Sequence, residues 1–239
     1  MITALLLDVD DTLIDTRAAM VAAGQAAVAQ LWPQAGVEAQ HGAGVRFHAD
    51  PSGFFGRFTR GEISFEQMRA ARVADLLEFF SLGALQDVNG RFEDVYGAAF
   101  AANVELFDDV LPLLEAAGAT GISTGLLTNS SSQYTQQKLE VTGLSGVFAS
   151  VATRDSLGFG KPDPRAFHHA CRLLRSAPAE TIYIGDDIEI DAIAASSAGL
   201  SAIWLQREPA DPADVVRARA RGIVVVTSLS QVPALWARR

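Results

Sequence analysis

Apolar residues along this chain follow two spacings. Six short β-type runs recur, several of them apolar at consecutive positions: 2–7, 122–127, 147–151, 181–184, 202–205 and 223–226. Consecutive apolar residues over that length predict strands buried on both faces, the pattern of a parallel sheet. Between the later runs the spacing is helical. Ser130-Ser131-Ser132-Gln133 offers a capping box for a helix that ends near Gly143. Asp163-Pro164 supplies an N-cap and a proline at the first helical position, ahead of a helix over 166–175. A further helix over 191–198 closes at Gly199. Strands alternating with helices predict a parallel α/β sheet with right-handed crossovers.

Residues 15–103 break the alternation. Helical patterns cover 18–31, 65–80 and 87–102, the second opened by Ser64-Phe65-Glu66-Gln67. An aromatic, glycine-rich stretch at 47–61 lies between the first two. An all-helical unit over 16–103 is therefore expected within a core made of 1–15 and 104–239. The polar stretch 207–221, with Pro209 and Pro212, reads as a link between the last two strands.

Composition narrows the possible partners. Of 239 residues, 49% are hydrophobic and 20% charged, as in chains that bury a core. The net charge of −9 argues against nucleic acid and anionic membrane surfaces. Cys171 is the single cysteine, which rules out an intrachain disulfide and fits a reducing compartment. No basic segment precedes the first apolar run, and no run is long enough to span a bilayer. A soluble cytoplasmic protein, monomer or homodimer, is expected. Arginine outnumbers lysine seventeen to two. A compact ammonium is wanted where a point charge must sit among oxygens. That marks Lys161, in Gly160-Lys161-Pro162-Asp163-Pro164, for function.

Four of the apolar runs lead into polar groups, and ligands of parallel α/β sheets bind beyond the carboxyl ends of the strands. The first run ends in Asp8-Val9-Asp10-Asp11-Thr12. Three carboxylates this close repel one another unless a cation sits among them, and the hard, oxygen-seeking choice is Mg²⁺. Capping of the next helix is the alternative. The second run ends in Thr128-Asn129-Ser130, where an opening helix offers free N–H groups to phosphate or is simply capped. The third leads to Lys161, held between Gly160 and two prolines. A P-loop is excluded because Pro162 stands where Ser or Thr is needed. The fourth is Gly185-Asp186-Asp187-Ile188-Glu189-Ile190-Asp191. Gly185 permits a tight exit, Asp186 can face the same pocket as Asp8, and Asp191 either joins them or caps a helix. Nucleophilic carboxylate, hydroxyl, ammonium and metal carboxylate together make a phosphoryl-transfer set.

These segments resemble, in order, the four motifs of the haloacid dehalogenase (HAD) superfamily: Asp-x-Asp-x-Thr, Thr-Asn, Lys-Pro and Gly-Asp-x-x-x-x-Asp. The helical insertion resembles the C1 cap of its subfamily I. The resemblance implies a Rossmann-like, doubly wound parallel sheet carrying the inserted cap, and a Mg²⁺-dependent phosphomonoester hydrolase working through an aspartyl-phosphate. It implies Asp8 as nucleophile and Asp10 as general acid and base. Thr128 and Asn129 would bind phosphate, Asn129 through its backbone, and Lys161 would bridge phosphate and Asp8. Asp8, the carbonyl of Asp10, and Asp186 would hold Mg²⁺. Thr12 would support the acids. Asp187 and Asp191 are candidates to reach the metal through water or to orient Lys161, with Asp191 ranked first.

Within the family, Asp10 favours phosphate chemistry over dehalogenation, because a departing halide needs no proton. Residues 16–103 contain no lysine, which excludes Schiff-base phosphonate hydrolysis. No histidine lies in 15–31, which argues against a sugar-phosphate mutase. The expected substrate is a small phosphorylated metabolite, with nucleoside monophosphates and sugar phosphates as candidates. Phe54, Arg57 and Arg60, with Arg46, Phe55 and Phe58, could stack a base or sugar and pair a second anion. Packing of these aromatics inside the insertion is the preferred alternative. The stretch 59–64 is similar to pyrimidine 5′-nucleotidases of the subfamily. A phospho-receiver domain would carry its aspartate on a later strand, and a silent binding protein would not need every catalytic position filled. Lys138 has no role legible in the sequence.

Overall fold

The computed structural model describes residues 1–236. They form two compact units: Met1–Asp15 together with the chain from Glu105 onward, and Thr16–Val104. Strand β1 (Ala4–Leu7) opens the first unit and is buried along its whole length. The second unit is all helical: α1 (Thr16–Leu31), α2 (Val37–Ala49), α3 (Phe54–Thr59), α4 (Phe65–Phe79) and α5 (Val88–Asn103). α4 opens with the expected capping box of Ser64 and Gln67. α2 is not evident from spacing, because Gly42 and Gly44 weaken its helix propensity. Packing overrides propensity there. A Cβ on Gly44 would lie 2.2 Å from the Val21 carbonyl oxygen, and one on Gly24 would lie 2.8 Å from Gly44 Cα. The two glycines let α1 and α2 meet backbone to backbone. The core of this unit gathers on Phe47, whose ring centroid lies 5.3 Å from Phe92 and 5.2 Å from Tyr96.

The first unit resumes with α6 (Val110–Ala119), β2 (Ser123–Thr128), α7 (Ser132–Val141), β3 (Ser150–Thr153), α8 (Arg154–Leu157) and α9 (Pro164–Leu173). Next come β4 (Thr181–Gly185), a π-helical turn (Ile188–Ile193) running into α10 (Ala194–Ser197), and β5 (Ser201–Leu205). α11 (Pro212–Ala220), β6 (Val224–Val226) and α12 (Pro233–Trp236) close it. Among the described residues the six strands are all parallel, in the order β3-β2-β1-β4-β5-β6. This is the doubly wound sheet with a helical insertion after β1 that the family resemblance implied. Winding reverses between β1 and β4, and the crevice beyond the strand ends at that reversal is where such sheets bind ligands.

Three local expectations shift. β3 begins at Ser150 rather than 147, because Val147 closes a turn onto the Leu144 carbonyl at 3.2 Å and is left exposed. Ser131 caps α7 by accepting from the Tyr134 N–H at 3.3 Å, one residue later than the capping box predicts. The stretch read as a link contains α11, opened by Asp211-Pro212 just as Asp163-Pro164 opens α9. Among the described residues no helix is long and apolar enough to cross a membrane.

Candidate active site

Register places the site. Leu7 pairs with Leu126 on one side and Ile184 on the other, and the Asp8 N–H donates to the Ile184 carbonyl at 2.9 Å. Asp8, Thr128 and Asp186 therefore emerge along one edge, at the winding reversal. Beyond Asp10 the chain turns back sharply. Asp11 takes a φ of 55°, a left-handed conformation that Asp tolerates better than most residues. Its N–H donates to the Ile14 carbonyl at 2.8 Å.

Lys161 lies buried at the centre. Its ammonium donates to Asp8 Oδ1 at 2.5 Å, Asp191 Oδ1 at 2.7 Å and the Tyr183 hydroxyl at 2.9 Å. Three donors thus meet three acceptors. Tyr183 passes its own O–H to Asp191 Oδ1 at 2.7 Å. Burial works against the Lys161 charge, yet Asp191 and Asp8 outweigh it and hold the ammonium above the usual lysine range.

Asp187 and Asp191 divide two tasks that the sequence left open. Asp187 is the helix cap, its Oδ1 accepting from the Glu189 and Ile190 N–H groups at 2.7 and 2.8 Å. Asp191 turns inward to Lys161 and Tyr183, and its Oδ2 accepts from the Asp187 N–H at 3.1 Å. Gly185 makes room for this: a Cβ there would lie 2.4 Å from Asp191 Cγ. The Asn129 side chain is likewise engaged. It donates to the Lys161 carbonyl at 2.9 Å and accepts from the Lys161 N–H at 2.8 Å, bracing the lysine loop. Gly160 allows that close approach, since its Cβ would lie 2.3 Å from Asn129 Oδ1. Thr128 is buried and its hydroxyl accepts from the Ser130 N–H at 3.0 Å. A hydroxyl that accepts one bond keeps its own O–H for another acceptor.

Asp186 is held by Thr12 Oγ1, which donates to its Oδ1 at 3.3 Å, and by Trp204 Nε1, which donates to its carbonyl at 2.7 Å. Burial pushes the Asp186 carboxyl up to about 9, with the charges of Asp8, Asp191 and Asp11 adding to the rise. Burial likewise raises Asp8, to about 7, against the pull of Lys161 and with help from Asp191 and Asp10. Among the described residues, Asp8, Asp186 and Asp191 each offer an oxygen within 4.8 Å of the others, a group able to hold a metal ion. The excess negative charge is what a divalent cation would relieve.

Several contributors were not singled out in the sequence. Tyr183 had a signal, a hydroxyl between two isoleucines of a central strand. Trp204 and Arg207 had none. Arg207 donates to both Asp109 oxygens at 2.8 Å and to the Thr12 carbonyl at 2.7 Å. Lys138 reaches Asp10 Oδ1 from α7. Cys171 is buried, with its thiol pushed up by burial. In the helical unit, α3 contains no fully buried residue, and Phe55 is 41% exposed. Arg60 and Arg57 both pair with Glu62, at 2.6 and 3.5 Å, and Arg46 pairs with Asp75 at 2.6 Å.

Residues 2–199 match the haloacid dehalogenase-like hydrolase family. The chain belongs to that family. This HAD protein is 36% identical over 108 residues to a phosphoglycolate phosphatase of Thiobacillus denitrificans, covering 45% of its own length. That match spans 47% of the relative, about half its length. It is 27% identical to a plasmid phosphoglycolate phosphatase of Cupriavidus necator over 98% of this chain and 92% of that one. Its fold is that of the HAD-hydrolase YfnB of Bacillus subtilis, solved with magnesium, at a TM-score of 0.75 and 21% identity over 98% of each chain.

Proposed function

We propose that this HAD protein is a Mg²⁺-dependent phosphomonoester hydrolase that works through an aspartyl-phosphate on a small phosphorylated metabolite. The observation that carries the reading is the buried Lys161 ammonium, bonded to Asp8 at 2.5 Å and anchored on Asp191 at 2.7 Å. An Asp8 oxygen attacks phosphorus while the bond from phosphorus to the leaving oxygen breaks, and Asp10 gives that oxygen its proton. Water then attacks the aspartyl-phosphate and passes a proton to Asp10. The Asp8–phosphorus bond breaks, releasing inorganic phosphate. The Thr128 hydroxyl and the Asn129 N–H hold the phosphoryl oxygens, and Lys161, on exchanging one of its present bonds, bridges a phosphoryl oxygen and Asp8. Asp8, Asp186 and the Asp10 carbonyl would hold Mg²⁺, which when bound offsets the charge of carboxylates and phosphate. The magnesium in the Bacillus relative supports that choice of ion.

The phosphoglycolate phosphatases among the relatives make a short phosphorylated acid the first substrate to try. Nucleoside monophosphates and sugar phosphates belong in the same panel. The test is hydrolysis of p-nitrophenyl phosphate and that panel with Mg²⁺, with and without EDTA, beside an Asp8→Asn variant. Turnover that needs both Mg²⁺ and Asp8 is expected. Wild type without turnover, or Asp8→Asn matching wild type, rejects the reading.

A further inference from the structure

The chain's two lysines end on the two carboxylates that flank Val9 at the exit of β1: Lys161 on Asp8 and Lys138 on Asp10. Lys138 lies on the buried face of α7 with Thr135 and Leu139. Lysine is almost never buried there unless paired, because removing an ammonium from water is costly. Its side chain is 6% exposed, whereas that of Asp10 is 32% exposed. The ion pair thus has a buried support and an open acid. The support is also fixed at both ends. At the start of α7, the Ser132 N–H and hydroxyl donate to Asp155 at 2.9 and 2.8 Å. At the end, the Lys138 carbonyl accepts from the Thr142 hydroxyl at 2.7 Å.

We propose that Lys138 is a positioning residue for Asp10. This inference rests on the phosphatase reading above. Its ammonium holds Oδ1, so that the transferable proton resides on Oδ2. In the first half-reaction that proton goes to the departing oxygen as its bond to phosphorus breaks. In the second, Oδ2 takes a proton from the attacking water. Lys138 stays an ammonium throughout and exchanges no proton. The site therefore carries one point charge for the nucleophile and a second for the acid, each delivered from a different segment of the core.

The test compares kcat/KM on two esters with Mg²⁺: p-nitrophenyl phosphate, whose leaving group departs without a proton, and β-glycerophosphate, whose alkoxide needs one. Lys138→Met is expected to lose about 10²-fold on β-glycerophosphate, in the range of general acid catalysis, and under about tenfold on the aryl ester. The loss should fall on kcat more than on KM, and Lys138→Arg should recover part of it. In an Asp10→Asn background, Lys138→Met should change either rate by no more than about twofold, because residues acting as a unit are not additive. Equal losses on both esters, or independent losses in the double variant, overturn the positioning role while leaving the phosphatase reading intact. Wild type inactive on both esters and on the whole panel above overturns the phosphatase reading and this role with it. Should Lys138→Met not fold, the double variant removes both charges, and with Lys138→Arg it carries the same comparison.

Discussion

At the residue scale, the site depends on side chains whose size is as constrained as their charge. Lys161 donates three hydrogen bonds within 2.9 Å in a buried space. A planar guanidinium cannot reproduce that geometry. Lys161→Arg is therefore expected to lower kcat by at least ~10²-fold, as misplacement by about an ångström does. Steady-state kinetics checks this, and wild-type turnover would overturn the point-charge argument. Gly185 is constrained by space alone, since its Cβ would overlap the Asp191 carboxyl. Gly185→Ala is expected to destabilise the fold by about 1–3 kcal/mol, the usual range for overpacking. Urea denaturation measures it.

At the scale of elements, the strand exits need anchors, and α7 illustrates how they work. Asp155 accepts from the Ser132 N–H and hydroxyl and from the Thr153 hydroxyl, tying the start of α7 to the end of β3. Burial would raise the Asp155 carboxyl, but these bonds overcome it and hold it down at about 2. With the folded value below the usual ~4, its contribution is complete above ~pH 4 and is lost as pH falls through about 2. Asp155→Ala should therefore cost about 1 kcal/mol at pH 7, as loss of a cap does. The gap from wild type should close near pH 2. Urea melts at the two pH values test the sign, and a gap that widens in acid would contradict it.

At the scale of the whole molecule, distant parts of the chain are tied behind the site. Arg207 joins the carbonyl of Thr12, after β1, to Asp109 at the start of α6. Asp109 also accepts from the Ser228 hydroxyl and the Leu229 N–H after β6, at 2.7 and 2.9 Å. The Arg207 guanidinium stacks 3.9 Å from the Phe107 ring centroid. Removing one member of such a largely buried pair strands the other. Arg207→Leu is expected to cost on the order of 3 kcal/mol, read from the shift in urea midpoint.

The linear chain determined the parallel sheet, the helical insertion and the four polar segments at the strand exits. Those features are written in neighbouring residues: consecutive apolar runs, caps, and acids placed directly after strands. Propensity misjudged α2, because what stabilises it is the meeting of Gly44 with α1. Only the tertiary structure decided which acid did which task. Asp187 and Asp191 look alike in sequence, yet one caps a helix and the other holds Lys161. The Asn129 side chain shows no task in the sequence, yet in the fold it clasps the Lys161 backbone. Lys138 was illegible because its partner lies 128 residues away. An ion pair between segments so distant leaves no periodicity or spacing to read, and only the packing of α7 brings the two groups together.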